Sequence, residues 1–270
     1  MKYLLAPSLV LAASAPALAN PHPNPFSYPY VTLPENEAEV EQYLDFIPVR
    51  VQRENPDGTL EGVYGVRSIL QTEIEIGLTD RLELGFYFQF RQGASGTTPF
   101  MQFNGIKQRL HYRFAEKGEL PVDIGIYGEI AEYQNEFELE EKILLERNFG
   151  DITAVANLWI EQEWYFQVDQ TKYIYNPTLA VNYELSPKFI IGAEYWARGR
   201  FDTPDPNDST GSNDAPTGTR QYLGPTFLFQ TGKLFFALGA YARLDAIADK
   251  AVVNDPYGKL WFRSIVGIDL

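Results

Sequence analysis

The stretch that decides the fold is residues 82–91, LELGFYFQFR. Apolar side chains occupy every second position from Leu82 to Phe90, and the positions between them are polar or small. Successive side chains of a β-strand point to opposite faces of the sheet, so this segment has one wholly apolar face. The alternation predicts a strand that separates a polar space from an apolar one.

The same two-residue period recurs along most of the chain after residue 42, in segments long enough to cross a bilayer as tilted strands. A soluble sheet packed on a core shows the same period, so the number of repeats and the connections decide between the two. We predict an all-β protein, an antiparallel transmembrane up-and-down β-barrel of about twelve strands. The predicted strands are residues 43–53, 63–78, 82–91, 100–114, 122–130, 137–146, 152–166, 173–185, 189–200, 219–230, 234–244 and 259–270.

The lengths of the connections favour the barrel over a soluble sandwich. Short connections at 79–81, 115–120, 149–151, 186–188 and 231–233 alternate with mostly longer ones at 54–61, 92–99, 201–218 and 245–258. Periplasmic turns and extracellular loops of outer-membrane barrels alternate in this way. The connections at 134–136 and 168–171 are short exceptions. An even number of strands predicts that both termini are periplasmic.

The first forty residues predict export and a separate lead-in. Residues 1–19 combine Lys2, a short apolar run and the small-residue ending Ala17-Leu18-Ala19, which predicts a Sec signal peptide cleaved after Ala19. Residues 20–41 are rich in proline, which favours extended backbone without ladder hydrogen bonds. We expect a loose periplasmic lead-in there, with a small plug as the alternative, and the barrel over residues 42–270. The predicted location is the outer membrane of a Gram-negative bacterium.

Composition excludes several classes of function. The formal net charge is −14, which argues against nucleic acid as a partner. The chain has no cysteine, so no disulfide and no thiolate ligand or nucleophile exists. The mean hydropathy of −0.24 is compatible with a barrel, because inward polar residues dilute the average. Expected partners are outer-membrane lipid and lipopolysaccharide, the barrel-assembly machinery during insertion, and a small-molecule solute.

Two stretches resemble a known family. Residues 75–90, EIGLTDRLELGFYFQF, and residues 141–158, EKILLERNFGDITAVANL, are similar to bacterial outer-membrane β-barrels associated with the meta-pathway of phenol degradation. The resemblance covers roughly an eighth of the chain and resides mainly in barrel turns. It implies an outer-membrane channel or uptake barrel for small molecules, organic compounds among them, and it brings no catalytic residues.

Charged residues on the polar face of the strands are the candidate functional residues. Rows of opposite charge facing a pore create a transverse field that selects solutes, whereas the same rows paired with one another fill the barrel. Both interpretations remain open at this point. The predicted lumen-lining residues are Arg67, Glu73, Glu75, Glu83, Lys107, Arg109, His111, Arg113, Glu129, Glu161, Glu163, Glu194, Arg198, Arg220, Arg243 and Arg263.

Catalytic and metal sites are not expected. His22 and His111 are the two histidines of the chain, His22 lies in the lead-in, and no serine partner is evident for either. The acidic loop at 202–218 offers Asp205, Asn207, Asp208 and Asp214 as calcium ligands. The EF-hand order fails, because Gly211 is one place late and no glutamate closes the loop. We expect no enzyme activity, no cofactor and no metal.

The sequence therefore favours a porin-like outer-membrane channel for passive diffusion of small solutes, with selectivity set by the inward Arg/Lys and Glu rows. A non-conducting barrel with a structural or loop-mediated binding role is the alternative. A barrel hydrolase is a weaker third possibility.

Overall fold

The computed structural model describes residues 21–92, 101–167, 170–201, 218–245 and 255–270. The predicted signal peptide and nearly all of the acidic loop at 202–218 lie outside these residues. Thirteen strands form one sheet. They are β1 Ala38–Glu54, β2 Leu60–Thr79, β3 Leu82–Gln92, β4 Gln102–Arg113, β5 Asp123–Tyr133, β6 Glu136–Phe149, β7 Ile152–Tyr165, β8 Gln170–Tyr175, β9 Thr178–Ser186, β10 Phe189–Arg200, β11 Arg220–Thr231, β12 Leu234–Arg243 and β13 Leu260–Asp269.

The sheet closes on itself. Apart from β8 and β9, which do not pair with each other, each strand pairs antiparallel with its neighbours in sequence. Strand β1 pairs with both β2 and β13, which joins the first strand to the last. Strands β8 and β9 share one place between β7 and β10, on either side of Asn176-Pro177, where proline cannot donate to the ladder. The sheet is thus a twelve-position up-and-down barrel without a free edge, and the predicted fold is confirmed.

Burial is inverted relative to a soluble protein. Glu73 and Arg109 are at most 1% exposed, whereas the apolar Phe88 and Leu158 are 42% and 57% exposed. The apolar face of residues 82–91 therefore points outward from the barrel, and no second layer of the described residues covers it. An apolar outer band around a polar interior is the arrangement of a transmembrane barrel. No helix among the described residues has the length and apolar character needed to cross a membrane.

The two ends of the barrel differ in their connections. At one end, which we call the turn end, four pairs of strands are joined by two residues each, at 80–81, 150–151, 187–188 and 232–233. Gly150 and Gly232 have φ of 66° and 59°, the left-handed conformation that such tight hairpins require and that glycine adopts freely. At the other end, the loop end, the connections include 93–101, 201–219 and 244–259.

Candidate functional site

Residues 21–37 form a segment that we call the plug, and residues 21–33 of it lie inside the barrel. Tyr30 and Leu33 are at most 1% exposed and Phe26 is 7% exposed. The plug enters at the turn end, where the Thr32 hydroxyl donates to the Asp80 carbonyl at 2.9 Å. The sequence predicts a loose lead-in at 20–41 with a small plug as the alternative, and in the structure β1 already begins at Ala38.

The prolines explain how an irregular segment is buried. Five prolines between residues 21 and 34 remove backbone donors, so few N–H groups need partners inside the barrel. Wall side chains satisfy several of the remaining donors. Glu194 accepts from the Phe26 N–H at 3.1 Å and from the Ser27 N–H at 2.5 Å, and Glu83 accepts from the Leu33 N–H at 2.6 Å. Side chains of the barrel wall thus supply the hydrogen bonds that a neighbouring strand would supply to a segment within a sheet.

Asn157 on β7 holds the middle of the plug. Its side-chain oxygen accepts from the Tyr28 N–H at 2.7 Å, and its amide nitrogen donates to the Tyr28 carbonyl at 3.0 Å. This reciprocal pair resembles one rung of a β-ladder made by a side chain. Asn157 itself is fully buried, so losing either bond would leave an unsatisfied polar group away from water.

Aromatic rings and cations clamp the plug near mid-barrel. Phe26 stacks on Trp196 at a centroid distance of 4.4 Å, and the Arg263 guanidinium lies 3.9 Å from the centre of the Phe26 ring. The Lys142 ammonium lies 3.9 Å from the centre of the Tyr28 ring and 3.8 Å from that of Trp159. Such cation–π contacts strengthen where water is excluded. They tie the plug to the wall without sheet hydrogen bonds.

The turn-end half of the interior is filled by charge. Arg109 contacts Glu73 at 2.7 Å, Glu83 at 2.5 Å and Glu75, and all four side chains are at most 1% exposed. Gly85 faces Arg109 across the ladder, and a side chain there would collide with the guanidinium. Among the described residues, three carboxylates pack closely around one arginine with no Cβ opposite, so charged side chains fill this part of the interior.

The loop-end half contains a cavity of about 160 Å³. Its wall includes Trp159 and Trp196, the cations Lys107 and Arg198, and the plug residue Phe26. Several lining charges are paired: Lys107 contacts Glu129 at 2.7 Å and Arg198 contacts Glu161 at 2.7 Å. Charged side chains therefore fill the turn-end half and border a cavity in the loop-end half.

The predicted lumen-lining residues fall into three groups. Six line the cavity, namely Arg67, Lys107, Glu129, Glu161, Arg198 and Arg263. Seven are buried elsewhere in the interior: Glu73, Glu75, Glu83, Arg109, His111, Glu163 and Glu194. The remaining three are not part of the cavity wall. Arg113 pairs with Glu116 at 2.7 Å, and Arg220 and Arg243 pair with Asp245 and Asp255.

These three arginines lie at the two ends of the barrel wall. Arg113 closes β4 at the turn end, and Arg220 and Arg243 lie at the loop-end margins of β11 and β12. Alternation assigns a face to each side chain but does not say where the wall ends. Acidic residues of the flanking connections bind these arginines at the rim.

Sequence reasoning also missed interior residues. Glu39 and Glu41 are fully buried on β1, although they were assigned to the lead-in. Their alternation with Val40 and Gln42 was a usable signal, because it continues the inward face of β1 through Tyr43. No pattern in the sequence predicts that Asn157 and Trp196 contact the plug.

Solved structures with this fold include an outer-membrane channel from Pseudomonas putida F1. It is 14% identical with a TM-score of 0.59, and the match covers 89% of this chain and 98% of that one. The NanC porin is 8% identical with a TM-score of 0.52, covering 83% of this chain and 98% of that one. No protein-family model matches the chain, and no curated protein matches it. At these identities the likeness shows the fold alone.

Proposed function

We propose that this protein is an outer-membrane channel that passes small organic solutes through a lumen controlled by its plug. The exposed apolar band supports a position in lipid, with lipopolysaccharide around the loop end and the barrel-assembly machinery as the insertion partner. The channels that share the fold support the same role by analogy. The proposal includes no catalytic step, and transport by diffusion needs no cofactor.

The observation that carries the proposal is the loop-end cavity. Its volume of about 160 Å³ is close to that of an apolar protein cavity of about 150 Å³ that holds benzene. Aromatic side chains of Tyr43, Tyr133 and Trp261 line it together with charged groups. A compartment of this size and chemistry suits a solute built on a single ring. The resemblance to outer-membrane barrels associated with the meta-pathway of phenol degradation supports the proposal of the same class of solute.

The distribution of charge around the cavity supports selection of charged or polar solutes. Cations line the arc from β13 to β4, and carboxylates line the adjacent arc from β5 to β7. Asp45, Lys142 and Arg198 are exceptions to this division, each beside a partner of opposite sign. Adjacent arcs of opposite charge produce a field in the lumen, which orients a solute that carries both a charge and a ring. The cationic arc consists of Arg263, Arg67, Arg91 and Lys107, and the acidic arc consists of Glu129, Glu138, Glu140 and Glu161.

Passage requires the plug to shift, because the turn-end half is filled. The contacts that resist this shift are those of Glu194 and Asn157 with the plug backbone. In planar bilayers we expect small, infrequent conductance steps from the wild-type protein. A Glu194→Gln/Asn157→Ala variant should give larger and more frequent steps, because two anchors of the plug are weakened.

Glu146→Gln is the matched control, since this buried carboxylate pairs with Lys117 at 3.0 Å rather than with the plug backbone. It should conduct as the wild type does. A permeation assay with benzoate and with an uncharged sugar of similar size then tests solute class. If neither the wild type nor the loosened variant conducts, the channel proposal is wrong.

That negative result would favour the alternative of a non-conducting barrel with a structural or loop-mediated binding role. One specific observation supports it, namely the closely packed charge cluster around Arg109. The bilayer measurement separates the two functions directly.

A further inference from the structure

The turn-end half contains more buried negative charge than its arginine can neutralise. Four carboxylates lie together on β1, β2 and β3, each at most 1% exposed. Arg109 contacts three of them. Buried carboxylates are costly unless positive charge compensates them, and one arginine carries less charge than four carboxylates. The four are Glu41, Glu73, Glu75 and Glu83.

Individual carboxylate oxygens show where positive charge is missing from the cluster. Oε1 of Glu41 and Oε2 of Glu75 are buried and accept no hydrogen bond from the described residues. Their sister oxygens are used, by the Tyr43 hydroxyl and by Arg109 respectively. Oε2 of Glu73, in the same cluster, is likewise buried without a hydrogen bond from the described residues. Buried polar atoms in proteins nearly always have partners, so these oxygens together point to an absent ligand.

The plug brings an imidazole to the same place. His22 is 4% exposed, and its Nδ1 lies 3.7 Å from Oε2 of Glu41 and 3.4 Å from the Tyr43 hydroxyl that donates to the same oxygen. One ligand atom from each of His22, Glu41 and Glu75 lies within 4.8 Å of the other two. Ligands about 2.1 Å from a tetrahedral ion lie about 3.4 Å apart, so each group would move by roughly 1 Å to bind one.

We propose that His22, Glu41 and Glu75 bind a divalent transition-metal ion of the Zn²⁺ or Mn²⁺ type. One imidazole nitrogen and two carboxylate oxygens suit these ions, whereas Ca²⁺ and Mg²⁺ prefer oxygen ligands alone. The ion neutralises the excess carboxylates and supplies the partner that the two oxygens lack. It also ties the plug to β1 and β2.

The position of His22 gives this tie a consequence. The plug is continuous with β1 at Ala38, and Glu194 and Asn157 hold its middle. His22 lies near the opposite end of the described plug. A metal ion there fixes a part of the plug that the chain connection does not hold, so metal binding should stabilise the plugged state. The site stands on its own geometry and does not require that the barrel conducts.

Direct metal measurement on the purified protein tests the site. The protein is stripped with EDTA, equilibrated with ZnCl₂ or MnCl₂, and freed of unbound ion by gel filtration before the metal is counted by mass spectrometry. We expect about one ion per chain. His22→Ala and Glu41→Gln should each weaken binding at least about tenfold, because even outer-sphere partners of metal ligands are worth 10- to 100-fold.

Glu146→Gln is the control for loss of a buried carboxylate and should retain the ion. His22→Ala changes the plug and no strand, so it keeps the test valid if Glu41→Gln does not fold. Binding of neither ion to the wild type would mean that protons neutralise the cluster, and the site would be rejected. Unchanged affinity in His22→Ala would also reject it. Both outcomes are independent of conductance.

Discussion

The two halves of the barrel interior are built from the same alternating pattern but have opposite characters. On β4, Arg109 and Lys107 face inward two residues apart. Arg109 contacts three carboxylates and has a side chain 1% exposed, whereas Lys107 contacts Glu129 and borders the cavity with 13% exposure. The period of two fixes which face is polar. The number of partners and the position of the plug decide whether that face encloses a cavity or fills the space.

The largest expected effect comes from Arg109→Met. It leaves Glu73, Glu75 and Glu83 buried without a cation, a change that typically costs about 3–5 kcal/mol. Lys107→Met leaves one carboxylate at the edge of a cavity and should cost about 1–3 kcal/mol. Urea unfolding in lipid bilayers, followed by tryptophan fluorescence, gives both values. Equal losses in the free energy of unfolding at the two positions would mean that the two halves do not differ in this respect.

Gly85→Ala tests whether the turn-end half has spare room. A Cβ at this position would lie 2.6 Å from Nε and 2.7 Å from Cγ of Arg109, so the arginine must shift within its carboxylate cluster. We expect a loss of about 1–3 kcal/mol in the free energy of unfolding. Gly128→Ala is the control, because its Cβ would meet no atom within 4 Å. A stable Gly85→Ala protein would mean that the cluster is loosely packed.

Asn157→Ala tests how strongly the plug is held at the boundary between the turn-end and loop-end halves. It removes both hydrogen bonds to the Tyr28 backbone and should cost about 1–1.5 kcal/mol. Amide exchange at Tyr28 should then accelerate by roughly tenfold, since about 1.4 kcal/mol is a factor of ten. Mass spectrometry of peptides from the plug and from β3 measures this. Equal acceleration in both would indicate general unfolding rather than release of the plug.

The smallest effect is expected beyond the cavity, at the loop-end rim. Arg53 pairs with Glu61 at 3.2 Å, and both side chains are more than half exposed. An exposed pair contributes about 0–1 kcal/mol, so Arg53→Met should be close to neutral in the same unfolding assay. A loss as large as that of Arg109→Met would show that burial does not govern these charges.

The sequence predicts the wall much better than what occupies it. Alternation along residues 82–91 identifies Glu83 and Gln89 as inward and Phe88 as outward, because each residue's face depends only on its neighbours. The broken strand at Asn176-Pro177 changes nothing in this assignment, since β8 and β9 occupy one place in the barrel.

The plug could not be predicted in the same way. Its position depends on contacts between residues far apart in the sequence, such as Phe26 with Glu194. Its prolines indicate an extended segment and do not say where that segment lies. The proposed metal ligands have the same origin, because His22 reaches Glu41 and Glu75 through the path of the plug.

The central claim is that every second side chain of these strands faces lipid while its neighbour faces a polar interior. Because the chain has no cysteine, single cysteines can be introduced along residues 82–91 and spin-labelled in reconstituted bilayers. Collision with oxygen, which dissolves in hydrocarbon, should be high at Leu84, Phe86 and Phe88 and low at Gly85, Tyr87 and Gln89. Oxygen accessibility that is low at Phe86 and Phe88, or that lacks the period of two, would contradict the account.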